Sequence, residues 1–109
     1  MEQPEASMAI QVLPKIPADP AEKQNGGDGV IRVVDAVIAY LKGTGLPVFV
    51  GPFETTIEGG FERLWEIGRE CQLICIREGA ESVSAYIKFA YNPTAGVWSI
   101  NKKVAKHHA

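Results

Sequence analysis

Histidine is missing from this chain until positions 107 and 108, so a histidine base or metal ligand is available only at its far end. No H-E-x-x-H and no nucleophile elbow occurs, which removes the commonest hydrolase signatures. Cysteine is scarce. Cys71 and Cys75 stand one helical turn apart, a poor geometry for a bridge within a regular helix and not the C-x₂-C spacing of a metal site. They read as reduced core thiols, and no metal is expected. Charge of one sign is also lacking: 11 Lys and Arg face 13 Asp and Glu, a net charge of −2, which gives no field for nucleic acid. The only basic cluster is Lys102, Lys103 and Lys106, read as a solvated tail. No apolar run approaches the length of a membrane span, and Met1 to Ser7 is too polar for a secretory signal. The expected location is the cytoplasm.

What remains is a single domain of 109 residues, 46% hydrophobic, large enough for a core without staples. Residues 1–6 are expected to be disordered, 7–101 to form the domain, and 102–109 to be the tail. Met8 to Leu13 alternates as a strand ended by Pro14, with Met8, Ile10 and Val12 on one face. Residues 14–29 form a loop rich in Pro and Gly, long enough to suggest closure over a site. A helix over about 29–42 follows, with Asp28 as its cap and Val30, Val33, Val34, Val37, Ile38 and Leu41 at helical spacing. Leu46 to Val50 and Glu54 to Glu58 read as strands. Phe61 to Glu78 is a second helix, in which Gly68 suggests close approach to the sheet. Val83 to Phe89 alternates clearly, Asn92 to Gly96 is a turn, and Val97 to Ile100 suits an extra edge strand. The order βαββαβ predicts an α+β, ferredoxin-like antiparallel sheet with both helices on one face.

The most distinctive stretch is Gly51-Pro52-Phe53-Glu54-Thr55-Thr56-Ile57-Glu58-Gly59-Gly60. Gly51-Pro52 breaks the chain on one side, and Gly59-Gly60 opens a helix with bare amides on the other. Strand alternation puts Thr55 and Ile57 on one face, and Glu54, Thr56 and Glu58 on the other. Two readings stand. The hydroxyls and carboxylates make a small polar site, or Glu58 merely caps the helix that follows.

The chain resembles the small thiamine-binding proteins over roughly residues 7–106. The likeness is carried by Ile10-Gln11-Val12-Leu13-Pro14, by Val34-Asp35-Ala36-Val37-Ile38, and most specifically by Gly51 to Gly59, which fits the pattern G-x-x-x-T-x-x-E-G. Gly79 to Val83 and Ile87-Lys88 follow in order. An Arg-containing tract that many relatives carry after the last core strand reads Phe89-Ala90-Tyr91-Asn92-Pro93 here. The resemblance implies the ferredoxin-like fold, a dimer or tetramer, and binding of thiamine or its hydroxymethylpyrimidine moiety, without catalysis or a cofactor. Thr55, Glu58 and Gly59 match the motif residue by residue.

Thiamine offers an aminopyrimidine edge and a cationic thiazolium. Glu58 or Glu54 suits the amine or the cation, while Thr55, Thr56 and Gln11 can donate or accept. Phe53, Trp65 and Tyr86 offer ring faces, although Trp65 also suits the helix's packing stripe. Thr55 and Glu58 share one pocket only if the strand bulges or ends before Glu58. A regulatory or interaction module for another small ligand, such as an amino acid, is the competing class. An enzyme is the third, and lacks a nucleophile beside Glu54 and Glu58. The half-apolar outer sheet face predicts association of sheets face to face.

Overall fold

The structure, a computed structural model, describes residues 3–17 and 28–108. Most of the loop expected at 14–29 and the closing role given to it lie outside that description, as does the side chain of Asp28, expected as a cap. The elements are β1 (Ala6–Lys15), α1 (Asp28–Gly43), β2 (Val48–Val50), β3 (Thr55–Gly59), α2 (Phe61–Arg77), β4 (Ser82–Tyr91) and α3 (Ile100–His108). The four strands form one antiparallel sheet in the order β2-β3-β1-β4. That is the ferredoxin-like arrangement expected from the element order.

Alternation sorts the two sheet faces. Met8, Ile10 and Val12 of β1 and Ile57 of β3 point under the helices and are buried. They meet Val33, Val37 and Leu41 of α1 and Leu64, Ile67, Cys71, Ile74 and Cys75 of α2 in one core. Gly68 lets α2 come close to the sheet. A Cβ there would lie 3.3 Å from Met8 Sδ and 3.5 Å from Ile87 Cδ1. Both cysteines are free and buried. Burial, with smaller contributions from Cys75 and Glu70, pushes the Cys71 thiol up to about 12, so it stays protonated and inert at neutral pH.

Three expectations are corrected. The strand foreseen at Val97 to Ile100 is instead a link followed by α3, which takes in most of the stretch foreseen as a tail. Ser99 starts that helix: its Oγ accepts from Lys102 N at 3.1 Å, a side-chain N-cap. The N-terminal residues from Gln3 onward are not loose. Pro4 O accepts from Val97 N at 2.8 Å, and Glu5 Oε1 accepts from Phe61 N at 2.8 Å. The left-handed Gly96, φ +78, lets the 92–96 turn come this close, since a Cβ there would meet Pro4 O at 2.8 Å. Finally, β1 does not stop before Pro14 but runs through it to Lys15.

The last point follows from how the main chain of β1 is shared. Bonding directions alternate along an antiparallel strand. Glu5 O accepts from Asn92 N at 3.1 Å and Lys15 O from Glu81 N at 2.8 Å, so odd-numbered residues of this strand turn their amide groups towards β4. Even-numbered residues turn theirs towards β3. β3 reaches only as far as the pair Ile10↔Thr55. The missing N–H of Pro14 therefore faces a side with no partner strand, and the proline costs no ladder bond.

Candidate ligand-binding site

The stop of β3 at Thr55 opens a cavity of about 320 Å³. Its floor is β1 from Ile10 to Pro14, its roof is α1 through Val30, Val34, Val37, Ile38 and Leu41, and its side is the turn Val50 to Thr55. Gly51 makes that turn tight: its N–H donates to Glu54 O at 2.9 Å. The walls are mostly apolar. Thr55, 7% exposed, brings a hydroxyl to the helix-facing side. Glu54 borders the cavity too, but its carboxylate lies on the outer face with Thr56 and Lys88, where its Oε1 accepts from Lys88 Nζ at 3.1 Å. An apolar enclosure with a few placed polar groups is the usual make-up of a small-molecule site.

The residues named from sequence divide. Thr55, Phe53 and Gln11 border the cavity. Phe53 is 80% exposed at its mouth. Gln11 borders it from β1, but alternation turns its side chain to the outer face, opposite Tyr86 on β4. Thr56 lies on the outer face too, beside Phe49, Ile100, Lys103 and Val104. Gly59 is at the far end of β3, where a Cβ would press on Leu46 Cδ1 at 3.1 Å.

Glu58 is elsewhere and otherwise occupied. β3 keeps an unbroken register from Thr55↔Ile10 to Gly59↔Ala6, so there is no bulge to bring Thr55 and Glu58 to one side. Glu58 is buried on the outer face, and its Oε2 accepts from Ile100 N at 2.8 Å. It is a helix cap, as one expectation had it, but for α3. The first turn of α2 is served by Glu5 instead. The shared Thr55 and Glu58 pocket is thus overturned by ordinary strand geometry. Trp65 is also away from the cavity, stacked on Phe89 with centroids 4.6 Å apart, and 52% exposed rather than core. The apolar roof on α1 was not foreseen as part of a site. Its signal was present: Val30, Val34 and Ile38 widen the stripe of Val33, Val37 and Leu41 beyond one packing face.

Among the described residues no cluster of His, Cys, Asp and Glu is fit to hold a metal, and no helix is long and apolar enough to cross a membrane. The profile of the thiamine-binding protein family matches residues 8–108. The UPF0045 protein of Clostridium perfringens is 36% identical over 101 residues, which cover 93% of this chain and 95% of that protein. A solved Bacillus cereus domain of unknown function superposes with a TM-score of 0.78 at 32% identity, covering 94% of this chain and 88% of its own. A solved Streptococcus pneumoniae protein does so with a TM-score of 0.71 at 35% identity, covering 92% and 97%. By the extent of the profile match and of the likeness to these relatives, the chain belongs to the thiamine-binding protein family.

Proposed function

We propose that this protein binds thiamine or its hydroxymethylpyrimidine moiety in the cavity between β1 and α1, without catalysis, as a cytoplasmic protein. The observation that carries the reading is the cavity's make-up: a mostly apolar lining from β1 and α1, with the Thr55 hydroxyl inside. The apolar groups of α1, such as Val34 and Ile38, suit a face of a pyrimidine ring. The cationic thiazolium stays outside the enclosure, where its charge is near water. Neither Glu54 nor Glu58 serves as an acidic partner inside the cavity, because Glu54 is paired with Lys88 and Glu58 with Ile100 N on the other face. Family membership supports the ligand class.

The same reading includes self-association. Leu13, Phe49 and Tyr86 leave 44%, 43% and 66% of their surfaces exposed on the outer side of the sheet. A second copy covering that face gives a dimer, and association of two such dimers through a further surface a tetramer. Sedimentation of the chain above its 11.8 kDa monomer mass is expected at micromolar concentration.

Titration calorimetry against thiamine, its phosphates, the hydroxymethylpyrimidine alcohol and a set of amino acids tests the ligand. Saturable binding of thiamine or the pyrimidine, with a melting temperature that rises with ligand concentration, is the expected result. Binding of an amino acid alone would turn the protein into a regulatory module for another ligand.

A further inference from the structure

The two neighbours of β1 do not match in length. β4 pairs with all ten residues from Ala6 to Lys15, while β3 pairs with only the five from Ala6 to Ile10. The next two residues that turn their main chain to the β3 side are Val12 and Pro14. Pro14 has no N–H to offer. Val12 has both groups, an N–H and a C=O, side by side and directed at the cavity. Val12 is 9% exposed and lines the cavity. Buried main-chain groups are nearly always paired in folded proteins. Here the sheet itself supplies no partner, since the register with β3 has ended.

A residue in this position of an antiparallel pair addresses one acceptor and one donor lying next to each other. We propose that the Val12 main chain is the recognition edge of the cavity, reading a ligand that carries an N–H donor beside a ring-nitrogen acceptor, as an aminopyrimidine does. The ring lies in the plane of the sheet and takes the place of the β3 residue that is missing. Val12 N–H donates to the ring nitrogen, and Val12 C=O accepts from the exocyclic amine. The inference rests on the reading that an aminopyrimidine occupies this cavity. It adds which atoms of the chain distinguish that ring from others of the same size. It also accounts for the scarcity of polar side chains around the cavity: Thr55 is the one buried hydroxyl in its described lining. When the strand edge reads the ligand's edge, α1 needs only apolar groups such as Val34 and Ile38 to cover its face.

The test uses the full chain and two probes: 4-amino-5-hydroxymethyl-2-methylpyrimidine, and its analogue with CH in place of the ring nitrogen next to the amine. Amide exchange is followed at Val12 and Ile10 by NMR. Ile10, already bonded to β3, is expected to be protected in every state. Val12 is expected to exchange at least about tenfold more slowly when the pyrimidine saturates the protein, and to show no such slowing with the analogue. The analogue is expected to bind about tenfold more weakly, as befits a donor left without its acceptor. A second arm replaces Val12 by its α-hydroxy acid, which deletes the N–H and leaves the side chain. The ladder with β4 uses odd-numbered residues, so β1 keeps its pairing, with the Gln11 carbonyl as a weaker acceptor, an effect common to both probes. This ester form is expected to lose about tenfold in affinity for the pyrimidine and nothing for the analogue. If the pyrimidine binds but Val12 exchanges as in the free protein, or if the ester form binds it as tightly as the amide form, the main-chain recognition is overturned while the cavity reading stands. If the pyrimidine does not bind at all, both fall together.

Discussion

The two ends of β3 carry the two halves of the most distinctive motif in the chain, and they serve different sides of the sheet. At one end Thr55 looks under α1 into the cavity. Three residues on, Glu58 looks out and holds the first turn of α3 through Ile100 N. Odd spacing in a regular strand forces this division. A motif read along the sequence as one polar site is therefore two devices back to back, one beside a ligand space and one that fastens a helix. Ile57 lies between them and packs into the common core.

The largest change is expected from removing what the two ends share. Ile57→Ala leaves a hole in a site of 0% exposure and should cost about 2–5 kcal/mol in chemical denaturation, disturbing both ends at once. A loss below about 1 kcal/mol would mean that β3 is not anchored through this residue. Next is Glu58→Ala, which leaves Ile100 N without its buried carboxylate. The expected cost is about 1.5–3 kcal/mol, with amide exchange in α3 speeding up and pyrimidine affinity of the folded protein unchanged within about twofold. A tenfold loss of affinity with normal α3 protection would return Glu58 to the binding site and break the division.

How far the sequence discloses this can be followed residue by residue. The period-two pattern of Met8, Ile10 and Val12, and the helical stripe through Leu64, Cys71 and Cys75, depend on local spacing alone, and both faces came out as read. Alternation also placed Thr55 and Glu58 on opposite faces, and only the bulge invoked to reunite them failed. The partner of Glu58 lies 42 residues away and that of Glu5 56 residues away, so neither capping bond leaves a local trace. The β-branched and aromatic run at Val97 to Ile100 imitates a strand. The Ser99 cap was the competing signal, and it prevails because Pro4 and Glu58 hold the ends of that link. The cavity was the least legible part. It exists because β3 stops five residues short of the end of β1, and a pairing that is absent has no residue pattern of its own.

A smaller effect should come from the cavity end of β3. Thr55→Val keeps the shape of the side chain and deletes its hydroxyl. Affinity for the pyrimidine should fall by about 0.5–1.5 kcal/mol, roughly two- to tenfold, with a melting temperature little altered. Calorimetry beside a melting curve separates this from Glu58→Ala, whose expected signature is the reverse. If both variants lost stability and neither lost affinity, both ends of β3 would be scaffold.

The smallest effect is expected next door, at Thr56→Val. Thr56 is paired with Ala9 on one side and Phe49 on the other, and its side chain sits on the outer face with Ile100 and Lys103. Thr56 is joined to Thr55 by one peptide bond, yet the sheet separates the two hydroxyls. Half-buried and away from the cavity, it should change stability by no more than about 0.5 kcal/mol and pyrimidine affinity by less than about twofold. Sedimentation run alongside calorimetry makes the result decisive. Lost affinity together with a smaller particle would mean that a second copy, seated on the outer face, helps to hold the ligand, so that the two sides of β3 belong to one site across the interface. Lost affinity with the particle unchanged would place the ligand itself on the outer face. Unchanged affinity, beside a clear loss in Thr55→Val, is the result that the geometry of one regular strand requires.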